Sequence, residues 1–238
     1  MNDITIDTML QQQLTTAVKK RLTLKKASII GIADLSILAD YDYNLSVLKG
    51  FSRAVSIGLK LSDDIIDNLI DGPTKEYAAH YTEINAKLDE LASDLVVFLN
   101  EKGYKSKAIE ASKVYDKQTH RANFPHKTAA VLSGIGWIGK NDLLITSDYG
   151  PRVRLATVLT TAPLIAGIPQ KKSQCGSCME CVKVCPVQCL IGHLWEFGDH
   201  REKIFNVHKC SDFIHQQEKI VGKTVCGLCI KVCPFGKP

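Results

Sequence analysis

Apolar residues at helical spacing recur through the first half of the chain. An i, i+4 pattern predicts an N-terminal amphipathic helix through Met9, Leu10, Leu14, Val18 and Leu22. A longer stripe, with alternating spacings of four and three, predicts a helix from about Thr74 to Lys102. Gly103 is suited to end that helix, because glycine adopts a left-handed cap without a Cβ penalty. A further, short helix is predicted over 126–133.

Several runs between and after these helices predict strands, and the first of them, 27–33, is apolar and rich in isoleucine, as expected of a buried strand. The runs are 27–33, 53–59, 105–111, 142–146 and 153–160. Ser62 predicts the start of another helix, through Ile70, because its hydroxyl can accept from first-turn amides. The tight linker 147–151 between the last two runs predicts a hairpin. Together these elements predict an α/β (α+β) layer that ends near residue 172.

The composition changes sharply after that point, because all nine cysteines fall within 175–233. We therefore predict one domain over 1–172 and a second over 173–238. The second domain opens with Cys175, Cys178 and Cys181 at intervals of three, followed by Cys185 directly before a proline. This is the bacterial ferredoxin spacing, in which the fourth cysteine ligates the other cluster of a two-cluster pair.

A second cysteine motif ends the chain and is incomplete. Cys226, Cys229 and Cys233 match the last three cysteines of the first motif, and Lys223 stands where the first would be. One ligand must come from elsewhere; Cys210 is the better candidate and Cys189 the alternative. We assign one cluster to Cys175, Cys178, Cys181 and Cys233. The other is assigned to Cys185, Cys210, Cys226 and Cys229, which leaves Cys189 over.

Other uses of so many cysteines fit the spacing less well. Structural zinc sites usually draw on two separated pairs of ligands rather than a triple run followed by Cys-Pro. A disulfide framework needs an oxidising compartment. The start of the chain does not read as a signal peptide, and no apolar run approaches a membrane span. The sequence thus predicts two 4Fe–4S clusters in a cytoplasmic protein.

The net charge of +5 is concentrated in the cysteine region. From Lys171 onward there are ten Lys or Arg residues and six Asp or Glu residues. This excess is compatible with an acidic redox partner or with RNA. The simpler interpretation is that it offsets the negative charge of two thiolate-ligated clusters, since no arginine-rich run or basic helix is present.

A glycine-rich stretch precedes the last two predicted strands. Gly134, Gly136 and Gly139 have the spacing of a dinucleotide fingerprint, but a Rossmann loop joins a strand to a following helix. Here the predicted helix comes first and the strand follows, so the phosphate-loop interpretation is weak. Glycines at this density let the backbone approach a flat, bulky group or turn sharply.

The stretch 134–141 (Gly-Ile-Gly-Trp-Ile-Gly-Lys-Asn), the strand pair after it and the offset cysteine pattern resemble the epoxyqueuosine reductase family. This family belongs with the reductive dehalogenases in a superfamily that uses cobalamin and two 4Fe–4S clusters. The resemblance runs from about residue 27 and is strongest from residue 126 to the end. The chain looks like a short, divergent member.

The resemblance implies a nitroreductase-like α/β domain that holds a corrinoid, followed by a ferredoxin-like domain that supplies electrons. It places the backbone around Gly136, Trp137, Gly139 and Lys140 near the cofactor. The family usually has a small residue at the position of Cys189, which favours Cys210 as the ligand. A low-potential donor of ferredoxin or flavodoxin type is the implied partner.

The segment before the glycine stretch departs from the family, because no acid aligns with the expected proton donor. Asp116, His120 and His126 are the candidates for that role. The sequence therefore predicts an iron–sulfur oxidoreductase that delivers electrons to a corrinoid or directly to a small-molecule or tRNA substrate. The alternative is a non-catalytic electron-transfer protein.

Overall fold

The computed structural model describes residues 2–40, 46–112, 116, 118, 120, 122 and 124–237. The helices are α1 (Asn2–Leu24), α2 (Asp63–Asp67), α3 (Lys75–Glu101), α4 (His126–Leu132), α5 (Glu180–Val184), α6 (Val207–Val221) and α7 (Leu228–Lys231). Short 3-10 helices cover Leu35–Asp40, Ser46–Leu48 and Arg201–Lys203. The strands are β1 (Ile29–Asp34), β2 (Arg53–Lys60), β3 (Ser106–Ile109), β4 (Trp137–Ile138), β5 (Leu144–Ile145) and β6 (Val153–Thr160).

The long helical pattern of the sequence is confirmed as α3, with Leu88, Leu95 and Leu99 fully buried. The chain leaves this helix through Gly103, which has a positive φ of 84°. The N-terminal pattern is confirmed as α1, although only its later apolar positions are buried and Met9 is exposed. Ser62 caps α2 by accepting from the backbone N–H of Ile65, but that helix ends at Asp67.

The strands form two separate sheets. A four-stranded sheet has the order β1-β2-β6-β3, with β1 antiparallel to β2 and β3 antiparallel to β6. The second sheet is the small antiparallel pair β4–β5, in which Trp137 faces Ile145. The predicted hairpin of β5 with β6 is therefore wrong. The intervening loop instead closes on itself, since Thr146 pairs with Gly150, and β5 pairs back onto the strand before it.

The chain divides into two compact units that interleave along the sequence. Unit 1 contains residues 1–59, 86–135 and 155–169, and unit 2 contains residues 60–85, 136–154 and 170–238. The predicted boundary at residue 172 lies close to the start of the last segment of unit 2. That unit, however, also includes two earlier segments, which the cysteine pattern did not predict.

Unit 1 is built on β1, most of β2 and β6, β3, the helices α1 and α4, and residues 86–101 of α3. Val18 and Leu22 bury the inner face of α1, and Arg21 on its outer side pairs with Asp94 of α3 at 2.6 Å. That pairing holds the pKa of Asp94 below its ordinary value, chiefly through the hydrogen bond from Arg21. The α4 helix packs against β1.

Unit 2 contains a buried ion-pair group in addition to the cysteine region. The Arg152 side chain is fully buried and donates to Asp63 at 3.0 Å and to Asp67 at 2.6 Å. The Nζ of Lys231 on α7 donates to the carbonyl of Leu69, which follows α2. These contacts join 60–85 to the rest of the unit, and this explains why the compact unit extends beyond the cysteine-rich segment.

The mixed helix and sheet content confirms the predicted α+β class. Among the described residues, none of the helices combines the length and the apolar character that a membrane crossing requires.

Leu88 tests the contribution of α3 to unit 1. Leu88→Ala removes a fully buried side chain and leaves a cavity, so we expect the free energy of unfolding to fall by about 2–5 kcal/mol. Urea denaturation of the anaerobic protein, followed by far-UV circular dichroism, measures the change. Val97→Ala, at a position 54% exposed on the same helix, should change stability by no more than about 0.5 kcal/mol. Equal effects of the two substitutions would contradict the assigned burial.

Candidate metal centre

A pocket in unit 2 brings together four cysteines from distant parts of the sequence. Cys175, Cys178, Cys181 and Cys233 line it, together with Lys140, Asn141, Ile145, Pro234 and Phe235. These are the four cysteines that spacing assigned to one cluster. The grouping places four thiols around one space, which is the donor set a 4Fe–4S cluster requires.

Local backbone geometry explains how the first motif directs its cysteines to two places. The loop turns at Gly176, where φ is positive, and the Cys178 N–H donates to the Cys175 carbonyl at 3.1 Å. Cys181 lies in α5, and Cys185 follows that helix in an extended conformation. An extended residue is expected before a proline. The helical turn of α5 thus carries Cys185 away from the other three.

A second group of cysteines forms around Cys185. Its sulfur lies 3.4 Å from the sulfur of Cys189 and accepts from the Cys189 N–H at the same distance. Cys210 on α6 lies near enough to Cys189 to raise the pKa of its thiol, ahead of the effect of burial. Cys226 and Cys229 are close enough to Cys185 and Cys189 to interact electrostatically. The structure therefore gathers five cysteines here, including both Cys210 and Cys189.

A short backbone pairing brings Cys189 close to α6. Leu190 bridges Phe205, and the Asn206 N–H donates to the Cys189 carbonyl at 2.8 Å. Asn206 caps α6 by accepting from the Lys209 N–H at 3.1 Å. The ninth cysteine is thus placed at the second group by secondary structure rather than left apart from it.

Burial and mutual repulsion oppose ionisation of the grouped thiols. Burial, together with the neighbouring Cys175, Cys233 and Cys178, raises the pKa of Cys181 to about 11. Burial likewise raises the pKa of Cys233 to about 11, against a hydrogen bond from the Phe235 backbone. Metal-bound thiols are deprotonated because the metal charge offsets this cost. The residues present therefore fit iron–sulfur clusters.

The four residues placed near a corrinoid by resemblance are all buried in unit 2. A Cβ at Gly136 would lie 2.3 Å from the Ile145 carbonyl oxygen, and one at Gly139 would lie 2.7 Å from the Asn141 side-chain oxygen. Both glycines thus permit close approach of the chain's own atoms. Trp137 packs with Ile145, Cys233 and Phe235, its ring 5.0 Å from that of Phe235.

Lys140 also contacts the cysteine region. Its Nζ donates to the carbonyls of Gly176 at 2.8 Å and Cys178 at 3.0 Å, and lies 3.4 Å from the Met179 sulfur. Next to it, the Asn141 side-chain amide donates to the Cys229 carbonyl at 3.3 Å. These contacts all lie within unit 2, and the placement of the four residues beside a corrinoid stays a prediction.

Asn141 and Met179 were missed as site residues, although both stand inside the motifs that the sequence analysis singled out. The segment 60–85 was also missed. Its Tyr77 is buried, and burial raises its pKa, with further increases from Tyr81, Cys229 and Cys226. A Cβ at Gly227 would lie 2.9 Å from the Tyr77 ring. Nothing in the spacing of residues 60–85 indicated this proximity to the second cysteine group.

The candidate proton donors belong to unit 1, whereas all nine cysteines belong to unit 2. His126 begins α4, and its ring nitrogens bond to the Thr157 hydroxyl and the Glu110 carbonyl, each at 2.9 Å. Asp116 is exposed and accepts from the Gln118 N–H at 2.8 Å. His120 is half-buried with a positive φ of 51°. Their catalytic role stays a prediction.

Comparison with known proteins defines the class of the cysteine region. Residues 174–236 match the model of the 4Fe-4S double cluster binding domain. This match confirms the two-cluster type of domain that the cysteine spacing predicted.

About half of the chain is similar in sequence to epoxyqueuosine reductases. The protein of that name from Atelocyanobacterium thalassa (isolate ALOHA) is 33% identical over 115 residues, covering 47% of this chain and 37% of the relative. The chain therefore matches little more than a third of the length of that relative. The resemblance inferred from the motifs is confirmed.

Solved structures show the same fold. A reductive dehalogenase whose structure suggests a mechanism for B12-dependent dehalogenation gives a TM-score of 0.73 at 19% identity, over 93% of this chain and 31% of that one. An epoxyqueuosine reductase with an epoxyqueuosine-modified tRNA-Tyr stem loop gives 0.60 at 21% identity, over 94% of this chain and 66% of that one. At these identities the likeness establishes fold only, and it confirms the predicted fold class.

The contacts of Cys189 make the fourth ligand of the second group directly testable. We expect Cys210→Ala to lose about half of the bound iron, because the second site then lacks a ligand, and Cys189→Ala to retain it. Iron and labile sulfide per chain, measured on anaerobically purified variants, check this. Loss of iron in Cys189→Ala with full retention in Cys210→Ala would reverse the assignment.

Proposed function

We propose that the protein is an iron–sulfur oxidoreductase similar to epoxyqueuosine reductase, which passes low-potential electrons to a corrinoid or a substrate. The observation that carries the proposal is the convergence of Cys175, Cys178, Cys181 and Cys233 on one pocket, with Cys185 directed to a second group. Clusters held by these thiols would supply one-electron storage and transfer.

The chain's own residues support this role by enclosing the two groups. Cys189 and Cys233 are buried, and the remaining cysteines are half-buried. Partial burial of this kind limits access of water and sets the local dielectric, two of the factors that determine cluster potential. We propose that a reduced ferredoxin or flavodoxin in the cytoplasm is the donor.

The identity of the acceptor is the finer part of the proposal. Fold likeness to a protein linked to B12-dependent chemistry supports a corrinoid, and likeness to a structure that contains a modified tRNA stem loop supports a tRNA substrate. The net charge of +5 is compatible with RNA binding. A direct test compares an epoxyqueuosine-modified stem loop with the same stem loop unmodified, with product formation read by mass spectrometry.

A non-catalytic electron carrier is the second candidate. Both ring nitrogens of His126 have hydrogen-bond partners within unit 1, and these bonds support a structural role for its imidazole. If His126 is structural, His126→Asn should leave any reductase activity nearly unchanged while lowering stability.

The iron content provides the primary test. Protein purified without oxygen should contain about eight irons and eight labile sulfides per chain, because two 4Fe–4S clusters require them. Colorimetric iron and sulfide assays, zinc by mass spectrometry and the electron paramagnetic resonance of the dithionite-reduced protein measure this. As a matched variant, Cys181→Ser should retain about half of the iron. A wild-type content of about four irons or fewer, or stoichiometric zinc, would contradict the proposal.

The corrinoid is tested separately on the iron-loaded protein. If a corrinoid is the acceptor, incubation with cob(II)alamin without oxygen should give a bound species with a changed Co(II) spectrum. Binding is followed by gel filtration and electron paramagnetic resonance. Absence of binding at all concentrations, with reductase activity intact, would mean that the substrate is reduced directly. Absence of both binding and activity would leave the electron-carrier function.

A further inference from the structure

Lys140 places a buried positive charge in the wall of the first cysteine pocket. The side chain lines that pocket, and the residue is only 4% exposed. An isolated ammonium group is costly to remove from water, so buried charges are normally paired with an opposite charge or bound to a metal site. The charge of the groups that surround this ammonium therefore indicates whether the pocket needs a negatively charged occupant.

The partners of the ammonium in the protein are neutral. They are the carbonyls of Gly176 and Cys178 and the sulfur of Met179, at 2.8, 3.0 and 3.4 Å. None of the ion pairs formed among the described residues involves Lys140. The hydrogen-bonding capacity of the ammonium is thus used, while its charge is left without a counterion from the protein.

The pocket beside the ammonium is lined by the four cysteines assigned to one cluster. A 4Fe–4S cluster with four thiolate ligands is anionic, and its reduced form carries one more negative charge. A fixed cation in a low-dielectric wall stabilises the reduced form more than the oxidised form. Net charge and burial are among the factors that set cluster potentials.

We propose that Lys140 is the buried counter-charge of the cluster at Cys175, Cys178, Cys181 and Cys233, and that it raises the reduction potential of that cluster. The inference rests on the proposed two-cluster function and adds a specific tuning residue to it. Lys140 also orders the loop that carries Cys175 and Cys178, because it binds two carbonyls of that loop. Through these hydrogen bonds to the loop, Lys140 acts as a positioning residue.

Two substitutions separate the charge from the hydrogen bonds. Lys140→Gln removes the charge and keeps an N–H donor for the loop carbonyls, whereas Lys140→Arg keeps the charge. Lys172→Met serves as a matched control, because Lys172 is 77% exposed and its charge is screened by water and by Glu196. All variants are prepared without oxygen, and iron is counted before any potential is compared.

The measurement is a potentiometric titration of both clusters followed by electron paramagnetic resonance. In Lys140→Gln, one cluster should show a reduced-to-oxidised ratio at least roughly tenfold lower at a fixed potential, which equals about 59 mV for a one-electron couple. The other cluster should keep its potential. Lys140→Arg and Lys172→Met should leave both potentials near those of the wild type.

The outcomes distinguish this inference from the proposed function. If the wild type does not bind two clusters, the proposed function fails first. If Lys140→Gln is fully loaded and both potentials match the wild type, the counter-charge role of Lys140 is wrong while the two-cluster function stands. Equal shifts in Lys140→Gln and Lys140→Arg would also overturn it, because loop geometry rather than charge would then set the potential. If Lys140→Gln binds less iron, Lys140→Met is titrated on its loaded fraction with the same criteria.

Discussion

Burial of many thiols in one compact unit is the constraint on which unit 2 depends. Thiolates repel one another and are poorly solvated there, and burial raises the pKa of Cys181 and Cys233 accordingly. Such a group is stable with its thiols deprotonated only when positive charge lies among them, from metal ions or from a buried cation such as Lys140. Lys140 contributes a positive charge beside the first cysteine pocket, and the residues that line this pocket enclose it.

The β4–β5 hairpin connects this constraint to the rest of the unit. Trp137 and Ile145 face each other across the hairpin and pack on Cys233 and Phe235. The turn of the same hairpin contains Lys140 and Asn141, which reach the loop of the first motif and the Cys229 carbonyl. The glycine-rich stretch thus supports both cysteine groups through contacts within unit 2.

Two kinds of similarity relate this chain to known proteins. The match of 174–236 to a double-cluster domain rests on ligand spacing, which is directly tied to chemistry. The likeness of the whole chain to reductive dehalogenases and epoxyqueuosine reductases is a likeness of fold, and one fold supports many reactions. The fold alone therefore does not identify a substrate or an electron acceptor.

The sequence by itself determined the features that depend on local spacing. The stripe of α3 and the Ser62 cap are set by residues a few positions apart, and the structure agrees with both. The division of the first cysteine motif between two clusters rests on equally local spacing and stays a prediction. Local spacing also assigned Cys233 to the cluster of the first three cysteines. Cys233 precedes a proline as Cys185 does, and in this spacing such a cysteine ligates the cluster of the other motif.

Only the tertiary structure decided which distant segments meet. The pairing of β5 with β4, the inclusion of 60–85 in unit 2 and the position of Cys189 beside Cys185 depend on long-range contacts. The residues that make such contacts are of types found in most protein cores. Their sequence therefore does not indicate which distant segment they contact. Lys140 shows the difference clearly: its motif was visible in the sequence, but its neutral partners and buried charge were determined by packing.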